Sequence, residues 1–277
     1  MRITVLIENT APEHSGLQAE HGLSFLIRTG GHLLLLDAGE TGAFWDNAVA
    51  LGEDLGTVEL AAISHGHHDH ANGFVRFFQG NASAPVYLRA SAWGNFVAPR
   101  GGELRYIGMA AALRKYAGRF RTAEGICSLL SGVWLTPPPE EGRGADTSLW
   151  ERDGAGALGP DRFAHEQAMV LDEGKGLVIL SPCSHCGIDR IAAAVCAAFP
   201  GRPLLGVLGG FHMRAGAVGG LNRPEEEVRR VARQLARLGA GRIWTGHCTG
   251  NAARAILQEE LGERLQPPLM TGLSIEL

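Results

Sequence analysis

Short apolar runs broken by glycine and polar turns dominate the first third of the chain. Ile3 to Ile7, Leu23 to Arg28 and His32 to Leu36 predict strands, the last two joined at Thr29-Gly30-Gly31, a hairpin signal. Asp37-Ala38-Gly39 ends the third strand, Phe44 to Leu51 predicts a helix, and Leu60 to Ser64 predicts a further buried strand. A run of histidines, His65-Gly66-His67-His68-Asp69-His70, begins where that strand ends and passes into a helical segment over Ala71 to Phe78. The run therefore sits on a strand-to-helix turn, where a rigid scaffold holds side chains over open space.

The pattern loosens after a strand at Val86 to Arg89. From about residue 91 to 160 the chain is rich in Gly, Pro and Arg, with Pro137-Pro138-Pro139 and Gly142-Arg143-Gly144 as breakers and one short helix over Met109 to Tyr116. This stretch reads as an irregular insertion, either a variable surface segment or a lid over the site. Regular alternation then returns. Ala168 to Leu171 and Leu177 to Leu180 predict strands, Ile188 to Phe199 a helix, and Leu204 to Leu208 a strand ending in Gly209-Gly210-Phe211-His212. Asn222 is placed to cap a helix that opens with Pro224 and three glutamates and runs to Leu238. Arg242 to Trp244 is a strand leading into Thr245-Gly246-His247-Cys248-Thr249-Gly250, and a last helix follows to about Leu261. Strand, turn and helix in alternation predict α/β layers with helices outside a sheet core.

Composition narrows the class. The 277 residues suffice for one sizeable core; 45% are hydrophobic and 19% charged, as in a soluble globular protein. A net charge of -4 gives no general attraction to nucleic acid or acidic membranes, so neither is expected as a partner. The five cysteines form no even disulfide framework, and the first residues lack the layout of a signal peptide. The longest apolar run, Leu33 to Leu36, is far short of the ~20 residues that cross a bilayer. A cytoplasmic location is the expectation. Eleven histidines and 39 glycines stand out, because several histidines lie in glycine-flanked turns, as a metal site requires.

Four potential ligands fall within six residues at His65, His67, Asp69 and His70. Imidazole and carboxylate are what zinc favours, with an open position when the site is catalytic. His185, His212 and His247 each follow an apolar strand, and strand ends in layered α/β folds converge on one edge.

The run His65-Gly66-His67-His68-Asp69-His70 resembles the HxHxDH signature of the metallo-β-lactamase superfamily, and the later histidines follow in that family's order. The resemblance covers nearly the whole chain and implies a single domain over 1–277, a four-layer αββα sandwich with a two-metal site at the edge between the sheets. It implies His65, His67 and His185 around one metal and Asp69, His70 and His247 around the other, with Asp37 supporting them from behind. One departure is plain. Many members place a bridging Asp between the third and last ligand histidines, whereas this chain has Gly209-Gly210-Phe211-His212 there. His212 is open as a ligand, a substrate contact, a proton donor or a structural residue. Glu20-His21-Gly22-Leu23-Ser24, Cys183-Ser184-His185, Gly209-Gly210-Phe211-His212 and His247-Cys248-Thr249-Gly250 together add a resemblance to a subgroup that includes archaeal dihydropterin-methyl-ribofuranosylaminobenzene-phosphate synthases.

Cys183 and Cys186 have C-x-x-C spacing but no second pair, so they read as small, semi-buried thiols beside a ligand. Cys248 is a competent but unneeded zinc ligand, and Glu20 and His21 read equally as site-mouth or surface residues. The expected function is a hydrolase that uses metal-activated water on an ester, amide or phosphate of a small molecule, with Asp69 and His212 in catalytic roles. Two divalent metals are implied, zinc first, manganese or iron as alternatives. A transferase or synthase acting on a pterin-like phosphorylated substrate is the second expectation. Aromatic walls from Trp93, Phe96 and Tyr106, with Arg100, Arg105 and Arg143, would favour it. The oligomeric state is left open by the sequence, a homodimer included.

Overall fold

Residues 1–140, 148–216 and 219–277 are described by the structure, a computed structural model. The first sheet takes β1 (Arg2–Ile7), β2 (Ser24–Thr29), β3 (His32–Leu36), β4 (Leu60–Ala62) and β5 (Val86–Leu88). Helix α1 (Ala43–Ala50) follows β3, and α2 (His68–Ala71) and α3 (Phe74–Gly80) follow β4. The next strands are β6 (Asn95–Arg100), β7 (Glu103–Tyr106), β8 (Phe120–Thr122), β9 (Cys127–Leu130), β10 (Val133–Thr136), β11 (Trp150–Arg152) and β12 (Leu158–Pro160). The remainder is β13 (Ala168–Leu171), β14 (Leu177–Leu180), α4 (Ile188–Ala198), β15 (Leu204–Gly209), α5 (Glu225–Arg237), β16 (Arg242–Thr245), α6 (Asn251–Leu261) and β17 (Ser274–Glu276).

Two large sheets face each other. One runs β17-β1-β2-β3-β4-β5-β8 and the other β16-β15-β14-β13-β10-β9. In β3, Leu34 and Leu36 enter the core between the sheets while Leu33 and Leu35 enter the core beneath α1 and α3. Side chains alternate across a strand, so a strand covered on both faces reads as an unbroken apolar run. Opposite them, Met169, Leu171, Val178 and Leu180 fill the inter-sheet core, and Val170, Leu177 and Ile179 pack with α4, α5 and α6. The result is the expected four-layer αββα sandwich. At the β2–β3 hairpin, Thr29 pairs with His32, and Gly30 and Gly31 have φ of 57° and 85°. Both central residues of such a two-residue turn need positive φ, which glycine adopts without a Cβ clash.

Three expectations need correction. The irregular stretch at 91–160 is well supplied with strands: β8 extends the first sheet, β9 and β10 the second, and β6, β7, β11 and β12 form a small sheet of their own. Those strands are three to six residues long and carry few β-branched residues, so no period shows. The helix read at Met109 to Tyr116 is a 3₁₀ segment over Ala111–Arg119, broken at Tyr116. Asn222 does not cap α5. Pro224 holds that position, and the Asn222 side chain donates to the His212 carbonyl at 2.9 Å. Gly142-Arg143-Gly144 lies outside the described residues. Among the described residues, no helix is long and apolar enough to cross a membrane.

Candidate metal centre

The histidine run leaves β4 at the edge between the two large sheets, and Asp37, at the end of the neighbouring β3, organises it. Asp37 is fully buried and has φ 60°. Its Oδ1 accepts the Ser64 amide at 2.6 Å, and its Oδ2 accepts the Ser64 hydroxyl at 2.6 Å and His70 Nδ1–H at 2.7 Å. Since the Ser64 hydroxyl spends its hydrogen on Asp37, His65 Nδ1, 2.8 Å away, is the donor to Ser64 Oγ. These bonds place a hydrogen on Nδ1 of both rings and aim both Nε2 atoms at the centre.

His65 Nε2 faces His185 Nε2 at 3.3 Å, and a donor atom of His67 completes a set of three within 4.8 Å of one another. Burial lowers the pKa of all three below the ordinary histidine range, and their mutual proximity adds to it for His65 and His185. They are neutral imidazoles, the form that binds a metal. His67 Nε2 is buried and finds no hydrogen-bond partner, with Asp161 Oδ2 3.6 Å away.

A second set lies beside the first. Asp69 Oδ2 is 3.5 Å from His70 Nε2, 3.4 Å from His247 Nε2 and 3.3 Å from His21 Nε2. His247 follows β16 on a turn at φ 51°; its amide donates to Glu8 Oε1 at 2.5 Å and its Nδ1 to Asn9 Oδ1 at 2.8 Å. That aims His247 Nε2 at the centre as well, and it sits 3.2 Å from His70 Nε2. Two ring nitrogens this close need a hydrogen or a metal ion between them. Burial works against charge on His70, but Asp69 and Asp37 outweigh it and lift its pKa to about 9. Burial likewise works against charge on Asp69, and His70 and His247 overcome it, holding the carboxylate well below its usual range. Two nitrogen ligands about 2.0–2.1 Å from a tetrahedral metal stand roughly 3.3–3.4 Å apart. The spacings found here fit a divalent metal in each set.

His21 is brought to the centre. Half exposed, it lies against Asp69 and stacks on His247 with ring centroids 5.0 Å apart. Burial lowers its pKa to about 4, outweighing the Asp69 carboxylate. Glu20 instead turns to the loop after β3, where it accepts the Glu40 and Thr41 amides at 3.0 and 3.2 Å. His212 does not join either set. Its ring is 4.2 Å from that of His185, and its amide donates to Cys248 Sγ at 3.3 Å. His212, Cys183 and Cys248 bring donor atoms within 4.8 Å of one another. Of the C-x-x-C pair, Cys186 packs in the core beneath α4 to α6. Cys183 Sγ reaches His70 Nε2 at 3.4 Å and Cys248 Sγ at 3.5 Å.

Three buried residues absent from the sequence reading support the centre. His165 accepts the Gly66 amide at Nδ1, 2.9 Å, and donates its Nε2–H to Asp161 Oδ2 at 3.1 Å, which fixes the backbone between His65 and His67. Glu166 accepts the amides of His185 and Cys186 at 2.7 and 2.9 Å and so holds the turn that presents His185. The signal for them was the polar cluster Asp161 to Gln167 directly before an apolar strand. Among the described residues, six non-glycine residues have positive φ, and Asp37, Ser184, His212 and His247 are four of them. Each costs of order 1–3 kcal/mol, and strain of this kind gathers where side chains must be aimed.

The sequence profile of the metallo-beta-lactamase superfamily matches residues 17–180, and the chain belongs to that superfamily. Its members typically bind divalent metals and are mostly enzymes. Among individual relatives, the chain is 24% identical over 280 residues to the 7,8-dihydropterin-6-methyl-4-(beta-D-ribofuranosyl)-aminobenzene-5'-phosphate synthase of Methanocaldococcus jannaschii, covering 95% of this chain and 92% of that one. It superposes on Tm1679, a metal-dependent hydrolase of the beta-lactamase superfamily, with a TM-score of 0.84 and 28% identity over 100% and 99% of the two chains. The fold is also similar to that of a diphosphatase from the PhnP family, with a TM-score of 0.57 and 16% identity over 100% and 97%.

Proposed function

We propose that the chain is a metal-dependent hydrolase of a small molecule bearing an ester, amide or phosphate, built on two divalent metals, zinc before manganese or iron. The observation that carries this reading is the junction of two sets of buried donors at one sheet edge: His65, His67 and His185 on one side, and Asp69, His70 and His247, 3.2–3.5 Å from one another, on the other. When bound, the metals supply a water acidified toward neutral pH and a Lewis acid for the substrate oxygen. The protein's own part is orientation. Asp69 keeps its negative charge and directs a hydrogen-bonded water with the carboxylate oxygen not shared by the histidines. His21, neutral and partly exposed, braces the Asp69 carboxylate, its Nε2 3.3 Å from Asp69 Oδ2. His212, beside His185, donates to charge that develops on the substrate. Exhaustive chelation should abolish turnover of a chromogenic phosphodiester or phosphomonoester, and zinc or manganese should restore it, with two metals per chain by elemental analysis. Undiminished turnover in metal-free protein would sink this reading.

A second reading, a transferase or synthase on a phosphorylated heterocycle, is favoured by one cavity. It has a volume of about 320 Å³ and is lined by Arg100, Arg105, Tyr106, His68, Asn72 and Glu40. The His68 amide donates to the Ile107 carbonyl at 2.8 Å, so the segment after β7 lies directly against the histidine run. Two arginines there suit a phosphate group. Phe96 packs on His67 and His165, and Trp93 on Phe120, so neither walls this cavity. Arg105→Ala should raise KM for a phosphorylated substrate about ten- to a hundredfold with kcat nearly unchanged, the equivalent of a charge-assisted bond of about 1.5–3 kcal/mol. An equal KM for both proteins would remove the arginines from substrate binding.

A further inference from the structure

Resting on the two-metal reading, we propose that Cys183 supplies a thiolate ligand at the junction of the two donor sets, where the sequence predicts no carboxylate. The sulfur is buried, 4% exposed, and groups with His65 and His70, one residue from each set, all within 4.8 Å of one another. Its distance to His70 Nε2 is 3.4 Å. Metal–nitrogen and metal–sulfur bonds of about 2.1 and 2.3 Å in a tetrahedral shell place nitrogen and sulfur roughly 3.6 Å apart, so the contact has the spacing of two ligands on one ion.

The opposite strand end explains why sulfur stands here. A Cβ at Gly210 would lie 2.5 Å from Cys248 Sγ and 2.7 Å from the Pro182 carbonyl. At Gly209 it would lie 1.9 Å from the Ser181 carbonyl. Neither position has room for an acidic side chain, because the turn carrying Cys183 fills that space. Cys248 is the competing sulfur. It accepts the His212 amide at 3.3 Å and clusters with His212 and Cys183, whereas Cys183 Sγ also lies 3.4 Å from His70 Nε2. On coordination the Cys183 S–H bond breaks, the sulfur–metal bond forms, and one proton leaves to solvent. Thiolate is a softer donor than carboxylate and selects zinc or cobalt over magnesium or calcium.

The test is cobalt(II) loaded into the full-length protein in place of its native metal. Wild type should show a near-ultraviolet thiolate-to-cobalt charge-transfer band. Cys248→Ser should retain it and Cys183→Ser should lose it. Two bound cobalt ions without that band, or a band that survives Cys183→Ser, overturns the proposal while leaving the two-metal reading intact. A wild type that binds no metal overturns both. Should Cys183→Ser fail to fold, zinc-edge X-ray absorption of wild type and Cys248→Ser decides. A sulfur shell at about 2.3 Å in both supports Cys183, and its absence from either one overturns it.

Discussion

Replacing Asp37 with Ala is expected to destabilise the protein by about 3–5 kcal/mol and to weaken metal binding by about ten- to a hundredfold. Asp37 is completely buried, and its two oxygens accept from three donors, the Ser64 amide, the Ser64 hydroxyl and His70 Nδ1. Alanine orphans all three, and each buried unsatisfied donor costs about 1–3 kcal/mol. His70 also loses one of the two carboxylates that support its charge. The tautomers of His65 and His70 are no longer enforced, so both rings are free to turn Nε2 away from the metals. Denaturant midpoints with and without chelator, and metal titration by competition with a chromophoric chelator, check the two effects separately. Wild-type values in both would show that the network around Asp37 is incidental.

Gly209→Ala is expected to cost about 3–5 kcal/mol and to disturb the centre without touching a donor atom. Gly209 ends β15 with φ 142°, a region open in practice only to glycine, and a Cβ there would meet the Ser181 carbonyl at 1.9 Å. Ser181 and Pro182 lead directly into Cys183, Ser184 and His185, and the Gly210 amide is tied to the Pro182 carbonyl at 2.8 Å. The backbone must move, and the turn bearing His185 moves with it. Gly201→Ala is the comparison: φ there is also positive, at 77°, but the new Cβ meets nothing within 4 Å. It should cost about 1–2 kcal/mol, as a left-handed alanine does, and leave metal affinity unchanged. Equal losses in the two variants would refute the contact-based account.

The ligand-bearing turns were legible because their information is local. Six consecutive residues carry four donors, and β3, β14 and β15 announce themselves as apolar runs that end where the chain turns chemical. What supports the donors was not legible, because it arrives from far away. Asn9 meets His247 across 238 positions, His165 meets Gly66 across 99, and Glu166 reaches His185 from a preceding polar cluster whose partners no spacing reveals. In sequence Cys183 reads only as a small, semi-buried thiol beside a ligand, because its two-residue offset from His185 is uninformative until the turn's curvature is known. Most strands of 91–160 leave no mark because they are three or four residues long and partly or wholly exposed, and the buried β6 and β10 are too short for a period to show.

The anchoring of His247 by Glu8 and Asn9 carries a kinetic consequence. Its amide is fixed across 239 positions and its ring across 238, by residues at the end of β1. Contacts of such sequence separation are expected to form late in folding. On a growing chain the run from His65 to His70 emerges long before His247. On the two-metal reading, metal captured early would be held by a partial set and exchange freely. Tight capture waits until the two ends of the sandwich have met, so metal retention measured during refolding should report the last long-range closure rather than the formation of either sheet.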